Sequence, residues 1–456
     1  MDRLFGSGHV SEKEDIGCSS GKERSAAMGV PLAIVIFIFS YFFIITEKMN
    51  RAVIACFGGV LMLIFHVYEI NAAFLHHIDW HTITLLLAMM ILVSITSQSG
   101  FFEYVAVSLA KWVKGRPLPL LIAISSLTAF GSAFLNNVTT VLLIVPIVFT
   151  LTSLLKLPAV PFLLSIVMAS NIGGTATLIG DPPNLMIGQA VDYLSFNDFL
   201  IHLSPVVLLI FLVVMACLVL IYKKQLIVSK EDRAKLLEIV PSTYIKDRKL
   251  LVKSVSILSL TTLGFIVQPF IHTELTSIAM TGALLLMLLT HEEQDMEEVF
   301  RSVEWVTLFF FIGLFMLVGG LKEVGIIDEM AKSIIYYTEG DLPKTALFIL
   351  WGSGILSGFV DNIPFVAAMI PVILEFQEFG MHNLEPLWWA LALGACLGGN
   401  ATIIGATANV IVAGLAVKAK QSFSYLEFLK IGLPVALISF VISTIYLYLR
   451  YLVDFI

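Results

Sequence analysis

The sequence is expected to fold as an all-α polytopic membrane protein. Its expected plan is an inverted repeat of five transmembrane helices plus one re-entrant hairpin each, with broken helices at the midplane. Three observations predict this. Of 456 residues, 58% are hydrophobic and 13% charged, and mean hydropathy is +0.94; a soluble domain carries about 25% charged residues. Shifting the chain by 225 residues brings its two halves into register. Polar, Gly- and Pro-containing stretches interrupt apolar runs at corresponding places in both halves.

The apolar runs set the first level. PLAIVIFIFSYFFII (31–45) and VVLLIFLVVMACLVLIY (206–222) are near the length that crosses about 30 Å of hydrocarbon as helix. In the first half, apolar segments lie near 31–46, 52–66 and 82–99. Segments 118–134 and 139–156 follow and meet at LNNVT, then a long segment, 160–188, and a last span, 205–222. The second half runs in the same order to about 449. The organisation is therefore a polar tail (1–28), repeat one (29–222), a basic linker (223–253) and repeat two (254–456). The tail shows no small-residue cleavage pattern and reads as a tail, not a signal peptide.

The repeat is ungapped for over 100 residues. Asp79-Trp80 falls on Glu304-Trp305, and NNVTTVLLIVPI (136–147) on DNIPFVAAMIPV (361–372). Between 170–184 and 395–409, seven of fifteen positions are identical. Chance does not produce such a register, and internal repeats define architecture.

Charge orients the chain. The stretch 222–253 carries nine Lys/Arg and is assigned to the cytoplasm, whereas loops 67–81 and 189–203 have none and fall outside. With 118–156 as a re-entrant hairpin, each half crosses five times, and the odd count inverts the second half. Both termini then lie outside, as do Lys322, Lys332 and Lys344, against the rule.

The polar stretches need a reason, because bare backbone is not tolerated in lipid. In GGTATLIGDPPN (173–184), Gly173, Gly174, Pro182 and Pro183 break the helix near 173–181. Proline suits the first turn of a new helix and aspartate its N-cap. Gly398, Gly399 and Gly405 do the same at 398–406. Paired breaks in two halves point to a transport site. The hairpin tips, Asn136-Asn137-Val138-Thr139 and Asp361-Asn362-Ile363-Pro364, add carbonyl, amide and hydroxyl groups. Each tip is expected to meet the break of its own half. Such oxygens suit a hard cation, and half-helix N-termini suit an anion.

Two carboxylates stand out because they break the repeat: Asp181 faces Ala406, and Asp361 faces Asn136. An intramembrane carboxylate is a functional candidate by default. The plainer alternative for each is an N-cap. Asn137 and Asn362 have the alternative of satisfying loop backbone; Asn184 and Asn409, just inside the second half-helices, are structural or ligand-binding. Thr177, Gly180, Thr402 and Asn400 complete the candidate set, with Asn171 and Thr175 behind them. His76, His77, Asp79 and His81 read as an ordinary solvated loop, and no metal is expected beyond Na⁺. The cysteines at 56, 217 and 396 read as small buried hydrophobes. A net charge of −7 without a basic tract argues against nucleic acid. No GxSxG, Walker or dinucleotide pattern appears, so an enzyme is a poor reading and no cofactor is expected beyond a coupling Na⁺ or H⁺.

ASNIGGTATLIGDPPN (169–184), SAFLNNVTTVLLIVPI (132–147) and GFVDNIPFVAAMIPV (358–372) resemble the ArsB/NhaD permease family. That family contains arsenite permeases, NhaD-type Na⁺/H⁺ antiporters and P protein-like members, within the ion transporter superfamily that also holds citrate transporter-like and divalent anion symporters. The resemblance covers nearly the whole chain after the tail. It implies opposed re-entrant hairpins, frequent homodimers and an elevator-like slide. It further implies that Asn137 and Asn362 line cation or substrate sites, and that Gly180, Pro183, Asn184, Thr402 and Asn409 line the breaks. One departure is Asn136, where the family pattern has aspartate. The expected function is secondary active transport at the cell membrane, with Na⁺/H⁺ exchange leading. An anion or oxyanion permease is the alternative, and an uncoupled channel is third.

Overall fold

A computed structural model describes residues 15–46 and 49–453, with side chains from residue 30 onward. Among these residues the chain is helical throughout, with 22 α-helices and no strand. Seven helices are long and apolar enough to cross a membrane. The remaining apolar helices are shorter, such as Arg51–Ile64 and Leu275–Thr290, or are halves of broken segments. The first 14 residues of the expected tail lie outside the described residues, and from Asp15 the backbone is helical through to Thr46.

Two compact units emerge. One comprises the described residues up to Ile78 together with Phe309–Glu329. Within it, glycines let helices touch: a Cβ on Gly313 would sit 2.3 Å from the Cys56 nitrogen. The Tyr68 hydroxyl donates to the Met316 carbonyl at 2.9 Å, and His77 Nε2 lies 3.3 Å from Glu323 Oε1.

The other unit, Asp79–Leu308 with Met330 onward, holds every candidate site residue. Hairpin one is Pro117–Phe134 and Asn137–Leu155, and broken helix one is Val160–Gly174 and Pro182–Ala190. Hairpin two is Leu342–Ser357 and Asn362–Glu375, and broken helix two is Glu385–Gly398 and Thr407–Lys418. The breaks therefore fall where glycine, proline and the polar run require. The arms of hairpin one have 18 and 19 residues, each long enough by itself to cross a membrane, whereas those of hairpin two have 16 and 14.

Packing between these four elements follows the repeat. The first arm of each hairpin packs on the first half of its own broken helix. Glycine permits the approach: a Cβ on Gly173 would lie 2.1 Å from the Ala129 carbonyl, and one on Gly398 2.4 Å from that of Gly354. The second arms cross over. Asn137–Leu155 packs on Thr407–Lys418, and Asn362–Glu375 on Pro182–Ala190. Each tip meets the break of its own half as expected, Asn137 reaching Asp181 and Asp361 reaching Thr407, and the second arms reach into the other half as well.

The linker is more than a polar loop. It contains the helix Lys230–Glu238, a 3₁₀ turn at Pro241–Tyr244 and the start of Arg248–Ile271. Ser229 caps the first of these. Asp232 within it pairs with Lys156, at the end of hairpin one, at 3.3 Å.

Candidate ion and substrate site

Each break is tied down by its own threonine and asparagine. Thr177 donates its hydroxyl to the Ala133 carbonyl. Its counterpart Thr402 donates to the Gly358 carbonyl at 2.6 Å. Asn184 Nδ2 donates to the carbonyls of Thr175 (3.0 Å) and Thr177 (2.9 Å). Asn409 Nδ2 donates to those of Gly399 (2.7 Å) and Thr402 (2.9 Å). The asparagine bonds satisfy carbonyls that unwinding leaves without helical partners, and the threonine bonds satisfy carbonyls at the end of each hairpin's first arm. Gly180 and Gly405 press on the opposite side of each break, with a Cβ at 2.5 Å from the Gly174 carbonyl and 2.8 Å from that of Gly399.

The two breaks meet through a reciprocal set of side chains. Asn171 Nδ2 donates to Asn400 Oδ1 (2.9 Å) and Asn409 Oδ1 (3.0 Å). Its repeat counterpart is Cys396, whose Sγ lies 3.6 Å from Asn184 Oδ1 and also contacts Thr175. The partners of Cys396 are the repeat counterparts of the partners of Asn171. Residue for counterpart, the contacts interchange, as they do about a two-fold relation.

Asp181 stands at the centre and is 1% exposed. It occupies the N-cap position of Pro182–Ala190 but makes no side-chain cap bond. Instead Asn137 Nδ2 reaches Oδ1 at 3.3 Å and Asn362 Nδ2 reaches Oδ2 at 3.3 Å. The Cys396 thiol adjoins it. The two hairpin tips therefore converge on one carboxylate. These partners are all neutral.

The remaining candidates sort differently. Asp361 caps the second arm of hairpin two, accepting from the Ile363 N–H at 3.3 Å, and accepts from the Thr407 hydroxyl at 2.7 Å. The N-cap alternative therefore describes Asp361 and not Asp181. Asn136 caps its own arm through Val138 N–H at 2.9 Å, and Thr139 faces Glu304 at 3.4 Å; neither joins the central network. Of the histidine run, His77 pairs with Glu323, and Asp79 caps the next helix by accepting from the Thr82 N–H at 3.1 Å. Sequence reasoning missed Cys396. Its signal was present, since it falls in register with Asn171.

A family model described as "Citrate transporter" matches residues 41–394. The chain belongs to the citrate transporter family. A 46 kDa membrane protein of Mycobacterium leprae is 40% identical over 92% of this chain and 99% of its own length. An uncharacterised transporter of Mycobacterium tuberculosis is 39% identical, with the same coverage. The human P protein is 32% identical over 93% of this chain, which spans 60% of that longer protein. Among solved structures, the YdaH transporter of Alcanivorax borkumensis superposes with a TM-score of 0.58 over 93% of this chain and 98% of its own, at 12% identity. MtrF of Neisseria gonorrhoeae, described with a class of antimetabolite efflux pumps, gives 0.58 over 92% and 94%, also at 12%. At that identity the likeness is one of fold. The protein is thus an integral membrane transporter. Its family is described by citrate, and the P protein, named in the resemblance above, is among its relatives.

Proposed function

We propose that this citrate-family member is a secondary active ion transporter of ArsB/NhaD type, working by alternating access, with Asp181 carrying the coupling cation. The reading that fits the site best is Na⁺/H⁺ exchange. One observation carries it: a carboxylate buried to 1% exposure is held by two amides and a thiol, with no cationic partner among the described residues. A buried charge is costly unless paired. Asp181 therefore exists either as the acid or with a bound cation, and a site that holds one or the other exchanges them. The reciprocal contacts about Asn171 and Cys396 support the inverted repeat on which such a mechanism rests. The setting proposed is the cell membrane, as a homodimer, with no organic cofactor.

A second reading is favoured by the family description: a permease for a small carboxylate or oxyanion. With Asp181 unpaired by any cation, an anion would enter this site together with its own cation or a proton. A channel fits less well, since tied breaks and a sealed centre suit a gated site.

The test is proteoliposomes with an internal pH dye and an imposed ΔpH. Na⁺, Li⁺, K⁺ and citrate are added separately to wild type, Asp181→Asn and Asp361→Asn. Na⁺ or Li⁺ should collapse ΔpH in wild type and fail in Asp181→Asn. If no cation moves protons, exchange is the wrong reading, and labelled citrate uptake decides the second.

A further inference from the structure

The amide orientations at the site form a chain of logic that ends in one surplus donor. Asn409 Nδ2 donates to two backbone carbonyls, so its Oδ1 must face Asn171. Asn171 must then present Nδ2 to Asn409, and the same nitrogen reaches Asn400 Oδ1. Turning the Asn400 amide over would set nitrogen against nitrogen. Its Nδ2 therefore points away from Asn171, is buried, and has no hydrogen-bond partner among the described residues, although the residue is 0% exposed. A buried, unpaired amide donor is expensive, and native structures keep few of them. Asn400 belongs to the second break, whereas Asp181 belongs to the first. Its repeat counterpart Thr175 has no such surplus, because its hydroxyl donates to the Asn171 carbonyl at 2.8 Å.

We propose that Asn400 is the ligand-facing donor of the site, and that its free N–H takes an acceptor oxygen of an anion that travels with the cation held at Asp181. The inference rests on the second reading above, in which an anion enters this same site together with its own cation. It adds a second pole of opposite preference: Asp181 supplies acceptor oxygens to a cation, and Asn400 supplies a donor to an oxygen. The Nδ2 atoms of Asn137, Asn171, Asn184, Asn362 and Asn409 are already committed to a carbonyl, an amide oxygen or Asp181. Asn400 is thus the contact by which the site discriminates an oxygen-bearing anion from a bare cation.

The test uses purified full-length protein, with citrate, phosphate and arsenite as separate probes and Na⁺ as the internal comparison. Ligand-induced shifts in melting temperature and KM for labelled citrate are read for wild type, Asn400→Ala and Asn400→Ser. Loss of a donor to a charged acceptor costs about tenfold to hundredfold in affinity. The expected result is that Asn400→Ala weakens an anion response by at least tenfold more than the Na⁺ response, and that Asn400→Ser, which restores a donor, recovers most of it. If Na⁺ and anion responses fall in parallel, or serine fails to rescue, Asn400 is only a latch between the breaks and the proposal is overturned. If no probe anion stabilises or is carried by wild type, the donor serves water and the proposal is equally overturned. Asp181→Asn keeps the two readings apart. Exchange that survives it defeats the transport reading; exchange that depends on it, with anion responses insensitive to Asn400, defeats this inference alone.

Discussion

Asn362 Nδ2 lies 3.3 Å from Asp181 Oδ2, joining the tip of the second hairpin to the break of the first half across 181 positions of sequence. Asn137 brings the first hairpin to the other oxygen of the same carboxylate. One side chain thus reports on both hairpins, so movement of either changes the environment of Asp181.

This separates the two carboxylates. Asp181→Asn is expected to lower cation-coupled proton movement by more than about a hundredfold, because it removes the buried carboxylate on which both hairpin tips converge. Asp361→Asn should cost less than about tenfold. An amide oxygen still accepts from Ile363 and Thr407 as the Asp361 carboxylate does, and cap exchange of Asp for Asn is nearly neutral. Initial rates of dye response in liposomes check both, and equal losses would remove the distinction.

The glycines at the helix contacts predict a sharp contrast in stability. Gly173→Ala and Gly398→Ala place a Cβ 2.1 Å and 2.4 Å from backbone carbonyls, which cannot yield as a flexible side chain does. Each should destabilise by about 1–3 kcal/mol or more through overpacking. Gly414→Ala meets nothing within 4 Å and lies inside a helix, so it should be neutral or gain about 0.5–1 kcal/mol. Thermal unfolding in detergent, followed by size exclusion, compares the three.

Removing the Asn171 amide leaves the Asn400 and Asn409 oxygens without its two bonds. Interhelical hydrogen bonds in membranes average about 0.6 kcal/mol and reach about 1.7. Asn171→Ala should therefore lower the melting temperature by a few degrees. A double-mutant cycle with Asn409→Ala should show coupling of that size, and strict additivity would mean that the bond contributes nothing.

Acid should loosen the linker. The Ser229 hydroxyl first, then Lys156 and Lys235, hold the Asp232 carboxyl below the usual carboxylate range. A depressed carboxylate contributes stability above its unfolded value, near pH 4, and loses it as pH falls through the folded value. Wild type should lose melting temperature on acidification below about pH 4 more steeply than Asp232→Asn. Parallel curves would show that this tie does not feel pH.

Much of the architecture was written in local terms. Gly173-Gly174 end the first half-helix and Pro182-Pro183 open the second, because glycine weakens a helix and proline suits only its first turn, and Gly398 ends the corresponding half-helix of repeat two. The register of 225 picked out Thr177, Thr402, Asn184 and Asn409 as counterparts, and each counterpart makes the same kind of bond to the backbone around its break. Only the tertiary structure decided what lay between halves. Asp181 and Asp361 look alike as residues before or near a helix start, yet one caps and the other does not. Asn137 meets Asp181 within one half, and Asn362 joins them because the second arm of hairpin two reaches into the other half. Cys396 joined the site for the same reason: a thiol carries no local signal, and its partners come from the other repeat. Helix breaks follow from backbone chemistry within a few residues, whereas the charge balance of a buried site depends on which distant side chains packing brings to it.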